Sequence, residues 1–296
     1  MAEQPRIDVV VSYVNGDEPV WQSALAKYDI LPLTSRYRDW GTLKYWFRGI
    51  SQNLPFVRRV HLLVSNIEQV PDWVNRDTVN VVLHKDFIPE KYLPTFNSTT
   101  IEMFIPFIPG LSERFVYFND DMFAINSTNE LDFFNGDTPV YSLKYRNNVK
   151  NIFRCQARNS YEMAKSITDF HPKKEGIHYF HIVHGPAPIS NKDALELWDS
   201  IGDRIENSLT KFREPWNFNQ YLFSDYSIMK GHWMKSKSKL EYLEMNEFDL
   251  VLDAIANTSC SFLCINDASI EDFELKKDEL ASAFQARFPT VSKYEC

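Results

Sequence analysis

The chain has 296 residues, 44% of them hydrophobic, and its 22 Phe, 14 Tyr and 7 Trp can fill a sizeable core in one large domain or two smaller ones, which excludes extended disorder. A net charge of −8 argues against a broad basic face for nucleic acid, although local Arg and Lys clusters can still hold a phosphorylated ligand. No window reaches the roughly 18 apolar residues of a spanning helix, Met1 to Arg6 enter a strand pattern with no signal peptide, and four irregularly spaced cysteines (Cys155, Cys260, Cys264, Cys296) suit a reducing cytoplasm.

Residues 7–14 read as a buried first strand closed by Asn15-Gly16-Asp17. That turn is either a plain tight turn or one that lets backbone amides approach a nucleotide. Pro19 opens a short helix to about residue 28. Arg36, Arg38 and Lys44 gather around Trp40-Gly41, ahead of the helical pattern Leu43, Trp46, Phe47 and Ile50. These cations either meet phosphate at a helix head or form a solvated face. Strands are predicted over 57–65 and 79–84, and the alternation with helices predicts an α/β domain with a largely parallel sheet.

Glu102 stands alone in the apolar segment 99–107, as the polar face of a short helix or as an acid turned into a cleft. The strand Arg114-Phe115-Val116-Tyr117-Phe118 then runs into Asn119-Asp120-Asp121. Two adjacent carboxylates at a buried strand end need an offset to their repulsion and desolvation, and a divalent cation is the usual one; solvated acids in an Asx turn are the alternative. The region 144–174 is basic and polar, with Arg146, Arg154 and Arg158, and reads as an acceptor-facing insertion. His178, His181 and His184 are spaced i, i+3, i+6, which favours one functional histidine over a three-histidine metal site. Ser190 caps a helix over 192–204. The aromatic-rich helix 218–229 reads as core, Cys264-Ile265-Asn266-Asp267 is a second apolar run ending in Asn-Asp, and 270–288 reads as a charged amphipathic helix packed on the surface.

Four blocks of this sequence, in order, resemble the Stealth family of sugar-1-phosphate transferases. They are Ile7 to Gly16; Arg36 to Phe123, with Val70-Pro71-Asp72-Trp73, Leu93-Pro94-Thr95-Phe96-Asn97-Ser98 and Asn119-Asp120-Asp121; His184-Gly185-Pro186 with Lys211-Phe212-Arg213 and Asn219-Gln220; and Cys264 to Asp267. The resemblance implies an α/β, GT-A-like nucleotide-sugar transferase core with a mostly parallel sheet and a helical C-terminal part. Residues 1–140 would bind nucleotide sugar and metal, and 141–296 would complete the same catalytic domain on the acceptor side. By position, His184, Arg213, Glu102 and Asp120 are the expected catalytic set; Asn15, Gly16, Arg38 and Asn97 the expected nucleotide-sugar contacts; and Asp120, Asp121 and Asp267 the expected ligands of Mg²⁺ or Mn²⁺. Thr42 and Lys44 stand where the family often has an acid and Arg, and Asn217 and Asn219 where many members carry Asp.

The implied reaction transfers sugar 1-phosphate from a UDP-sugar, UDP-N-acetylglucosamine or another UDP-hexose, to a hydroxyl of a polysaccharide or lipid-linked oligosaccharide, releasing UMP. His184 would be the general base, with Glu102 the runner-up, and Arg213 would bind phosphoryl oxygens. The implied setting is capsule or exopolysaccharide assembly by a cytoplasmic enzyme, with peripheral contact at the inner face of the membrane and no nucleic-acid partner. Two rivals stand beside it: a conventional metal-dependent glycosyltransferase releasing UDP, and a non-catalytic sugar-binding protein.

Overall fold

The apolar run that opens the chain lies at the centre of the main sheet, which is why it reads as continuously hydrophobic rather than alternating. A computed structural model of the chain describes residues 7–28, 37–172 and 179–296; Met1 to Arg6, Arg36 and His178 lie outside these residues. The first half builds β1 (Ile7–Ser12), α1 (Pro19–Leu25), α2 (Leu43–Asn53), β2 (Val57–Val64), β3 (Val79–Leu83), α3 (Ser98–Phe104), β4 (Arg114–Asn119) and β5 (Met122–Ala124). Strands β3, β2, β1 and β4 are parallel neighbours in that order. Ser12 of β1 pairs with Asn119 of β4. The strand order reverses between β1 and β4, so the crevice where open α/β sheets bind ligands opens at Ser12, Asp120 and Asp121. The expected α/β class with a mostly parallel sheet is what forms.

The second half contains β6 (Phe134–Asn135), β7 (Thr138–Tyr141), β8 (Leu143–Arg146), α4 (Ile152–Ser166), β9 (Tyr179–Ile182), β10 (Ala187–Ser190), α5 (Asn191–Ser208) and α6 (Tyr221–Met229). It continues with β11 (Met234–Lys235), β12 (Leu240–Glu244), α7 (Phe248–Asn257), β13 (Phe262–Asn266) and α8 (Phe273–Arg287). Twice this half returns to the Asp120-Asp121 strand. β10 pairs antiparallel with β4, and β13 pairs antiparallel with β5 in the sheet β12-β13-β5. Residues 141–296 therefore supply part of both sheets around the crevice. The helix predicted over 192–204 runs longer, as Asn191–Ser208, with the Ser190 hydroxyl accepting from the Asp193 N–H at 3.3 Å. α8 buries Leu280 and Phe284 and leaves its charges outside, as a surface-packed helix should. Among the described residues no helix is long and apolar enough to cross a membrane.

α6 is buried along its whole length, as its aromatic content predicts, and it carries an acid inward. Asp225 is 0% exposed and neither carboxylate oxygen has a hydrogen-bond partner. Burial pushes its carboxyl well above the usual range. The folded chain thus keeps a proton that the unfolded chain releases near pH 4, and stability is lost as pH rises above that point. Asp225→Asn is expected to stabilise the fold at pH 7 by about 1–3 kcal/mol and to flatten this decline. Urea midpoints at pH 5 and pH 8 check it; a variant less stable than wild type at pH 8 would refute it.

Candidate active site

Asp120 and Asp121 follow the last residue of β4, and the chain turns at once into β5. The Ile265 N–H donates to the Asp121 carbonyl at 2.9 Å, and Cys264 stands opposite Met122 across the β13–β5 pair. Strand pairing thus brings the second Asn-Asp run, Asn266-Asp267, beside the first. Both runs open onto a cleft of about 930 Å³ that is also lined by Arg38, Asp39, Glu102, His184 and Arg213.

The electrostatics at the strand ends are strained. Loss of solvent, then the charges of Asp121 and Asp39, drive the Asp120 carboxyl well above its usual range. Loss of solvent likewise lifts Asp121 to about 7, with Asp267 adding to the effect. Asp121 Oδ1 is buried and accepts no hydrogen bond. Acids crowded together with an orphaned oxygen are what a hard divalent cation relieves, so Asp120 and Asp121 fit Mg²⁺ or Mn²⁺. Asp267 is differently engaged: Arg38 Nε donates to its Oδ2 at 3.1 Å while Arg38 Nη2 pairs with its Oδ1. The guanidinium also lies 4.6 Å from the Phe273 ring centroid and 5.1 Å from that of Trp40. The residues expected to bind nucleotide (Arg38) and metal (Asp267) thus pair with each other in the wall of the cleft.

Asp121, His184 and Cys264 bring an oxygen, a ring nitrogen and a sulfur within 4.8 Å of one another. Sulfur does not suit Mg²⁺. Burial, then the Asp121 charge, push the Cys264 thiol well up. The two carboxylates are the donors here that suit such a hard cation.

A second group forms around α3. Arg213 Nη2 donates to Ser98 Oγ, and Ser98 in turn hydrogen-bonds Glu102. Glu102 Oε2 also accepts the Gln220 N–H at 2.9 Å. Glu102 is 6% exposed; burial raises its carboxyl, with the Arg213 charge opposing. The acid that sequence left open between a helix face and a cleft is thus in the cleft. Asn97 is not there. It caps α3, accepting from the Thr99 N–H at 3.1 Å, and its Nδ2 reaches the Thr210 and Phe212 carbonyls and Asn217 Oδ1 at 3.0–3.2 Å. Asn97 therefore fastens the loop that carries Arg213 and has no capacity left for a ligand. Asn217 closes the same loop from both ends of its amide: Oδ1 accepts the Glu214 N–H at 2.7 Å, and Nδ2 donates to the Ser208 carbonyl and Thr210 Oγ1, a donation that an acid could not make.

His184 precedes β10. Its Nδ1 lies 3.3 Å from the Tyr221 hydroxyl, and its ring meets Phe153 edge-on at 5.4 Å. Asn15 and Gly16 do not line the cleft. Asn15 is bonded to Gln69 through its backbone N–H at 2.6 Å and its carbonyl at 3.1 Å. The Gly16 N–H donates to the Tyr37 carbonyl at 2.8 Å, and a Cβ at Gly16 would collide with Tyr37. The glycine is there for that close approach. It seats an aromatic wall in which Trp21 meets Tyr37 at 4.9 Å and Phe96 at 5.5 Å.

The structure adds residues that sequence reading did not single out. Asp39 Oδ2 accepts from the Tyr13 hydroxyl at 3.2 Å and its charge bears on Asp120; among neighbouring Arg and Lys it was hidden in a basic run. Ser98, within a quoted motif, links Glu102 to Arg213, and Tyr221 opens a helix otherwise read as core. The expected acceptor-facing stretch does reach the site, since Asn151, Phe153 and Arg154 line the cleft.

A family model described as Stealth protein conserved region 2 matches residues 36–140. The receptor polysaccharide phosphotransferase WefC of Streptococcus oralis is 31% identical to this chain, over 98% of it and 99% of that protein. The capsular polysaccharide phosphotransferase WcwK of Streptococcus pneumoniae is 30% identical over 98% of each. The exopolysaccharide phosphotransferase cps2G of Lactiplantibacillus plantarum is 27% identical over 98% and 96%. Among solved structures, the galactosyltransferase LgtC in complex with donor and acceptor sugar analogs aligns over 97% of this chain and 98% of its own, with 12% identity and a TM-score of 0.45.

Proposed function

The chain belongs to the Stealth family, and on that premise we propose that it is a polysaccharide phosphotransferase that moves sugar 1-phosphate from a UDP-sugar to a glycan hydroxyl in capsule or exopolysaccharide assembly. UDP-N-acetylglucosamine or another UDP-hexose is the donor class, and the setting is the cytoplasm, with peripheral contact at the inner face of the membrane. The acceptor oxygen bonds to the sugar-bearing β-phosphorus, the bond from that phosphorus to the bridging oxygen breaks, and UMP leaves with the electron pair. The product is a sugar-phosphate-sugar diester.

The observation that carries this reading is the gathering of Arg213, the Asp120-Asp121 pair and His184 in one cleft, in a chain whose relatives are named polysaccharide phosphotransferases. Phosphoryl transfer asks chiefly for positioning and for charge around the moving phosphorus. Arg213, held through Ser98, offers a planar fork to phosphoryl oxygens. His184 takes the acceptor hydroxyl's proton. Glu102 already accepts from Gln220 and Ser98, which makes it the positioning residue for Arg213 rather than the base. Asp120 and Asp121 would hold Mg²⁺ or Mn²⁺, which when bound neutralises diphosphate charge. Asn15, Gly16 and Asn97 act from behind, by holding the walls.

The test is the nucleotide released when the protein meets each of a panel of UDP-hexoses with Mg²⁺ and a polysaccharide acceptor. UMP is expected. UDP would overturn the reading in favour of conventional glycosyl transfer.

A further inference from the structure

Between Asp137 and Glu162 the chain has five basic residues, Lys144, Arg146, Lys150, Arg154 and Arg158, and no acid, in a protein of net charge −8. Arg38, Arg48, Arg58 and Arg114 each pair with an Asp or Glu. Among the described residues, neither Arg146 nor Arg154 pairs with any carboxylate.

The two nevertheless stand together. Arg146 is opposite Tyr179 in the β8–β9 pair, and the Tyr179 hydroxyl donates to the Asn148 carbonyl at 2.9 Å. Arg154 Nη1 donates to Asn148 Oδ1 at 2.9 Å. Burial raises the Tyr179 phenol, and the charges of Arg154 and Arg146 oppose that rise. Arg154 lines the cleft, and Arg146 is exposed. The helix that carries Arg154 also holds the Arg213 loop: Gln156 Nε2 donates to the Glu214 carbonyl at 2.9 Å, and Asn159 Nδ2 to the Pro215 carbonyl at 2.8 Å. One rigid element therefore links this cationic corner to the proposed reaction centre.

Two neighbouring guanidiniums that pair with no carboxylate among the described residues match the charge of a phosphate. We propose that Arg146 and Arg154 form a subsite for a phosphate that the acceptor glycan already carries, so that the enzyme selects phosphorylated acceptors. This rests on the reading of the cleft as a glycan phosphotransferase site. The reaction that supplies such an acceptor is one that places a phosphodiester on a glycan, and transfer by this enzyme itself belongs to that class.

Calorimetric titration of wild type and Arg146→Gln/Arg154→Gln with a poly(glycerol phosphate) oligomer, with dextran of equal length and with phosphatidylglycerol vesicles tests it. The oligomer is expected to bind wild type at least about 10-fold more tightly than it binds the double variant, and more tightly than dextran binds, with affinity falling as salt rises. Arg146→Lys/Arg154→Lys should recover part of the loss. Circular dichroism and thermal melting report the fold of each variant. Absent or equal oligomer binding in the two proteins overturns the subsite. A loss confined to the vesicles would assign the arginines to a lipid surface and overturn it as well. This assay reads no product, so UDP release in the transfer reaction would defeat the function proposed above while leaving the titration result standing.

Discussion

His184→Ala is expected to lower kcat by about 100- to 10,000-fold, the usual scale for removing a positioned general base, while the far-ultraviolet spectrum and melting temperature stay close to wild type. The ring is partly exposed and sits at the edge of the core, between the Tyr221 hydroxyl and the Phe153 and Tyr242 rings, so truncation leaves little void. Neutral imidazole is the form that accepts the proton. Tyr221→Phe, which removes the Nδ1 partner but keeps the ring, should cost far less. A kcat for His184→Ala within a few-fold of wild type would refute the base assignment and return Glu102 to consideration.

Asp121→Asn is expected to pull activity and stability in opposite directions. Losing a metal ligand at the diphosphate removes several kcal/mol of charge stabilisation, so transfer should fall by about 1000-fold. The metal-free protein should meanwhile become more stable near neutral pH. The folded-state pKa of about 7 lies above the usual carboxylate value, so the native acid costs stability that grows as pH rises from about 4 towards 7. Asparagine removes that cost. Thermal melts at pH 5 and pH 7.5, with and without Mg²⁺, separate the two effects. Wild type should melt higher with saturating Mg²⁺, by about 2.7 kcal/mol of added stability at a hundred times Kd, and the variant should not respond. A variant still stabilised by Mg²⁺ to the wild-type extent would move the metal site elsewhere.

Sequence alone carried a large part of the fold. Short-range signals suffice for a buried apolar strand, a Pro-led helix, a serine cap or an acid pair at a strand end, because each depends on residues within a few positions of one another. That is why the predicted strands lie within a residue or two of β1, β2 and β3, and why Asp120 and Asp121 could be singled out from the chain as crowded carboxylates. The motif blocks likewise identified Glu102, His184 and Arg213, which the fold brings to one cleft.

What tertiary structure decided is which of the named residues face a ligand and which hold the walls. Arg38 meets Asp267 across 229 positions, Glu102 meets the Gln220 backbone across 118, and Asn97 anchors Asn217 across 120. None of these partners can be read from local periodicity, since they depend on how β10, β13 and the 210–217 loop come back to β4, β5 and α3. Gly16, expected beside the nucleotide, proved to be the place where Tyr37 passes too close for a side chain. Residue type and spacing determined the chemistry available to this protein. Long-range strand pairing and loop closure determined where that chemistry points, because a hydrogen-bond donor has direction only once its partner has a place.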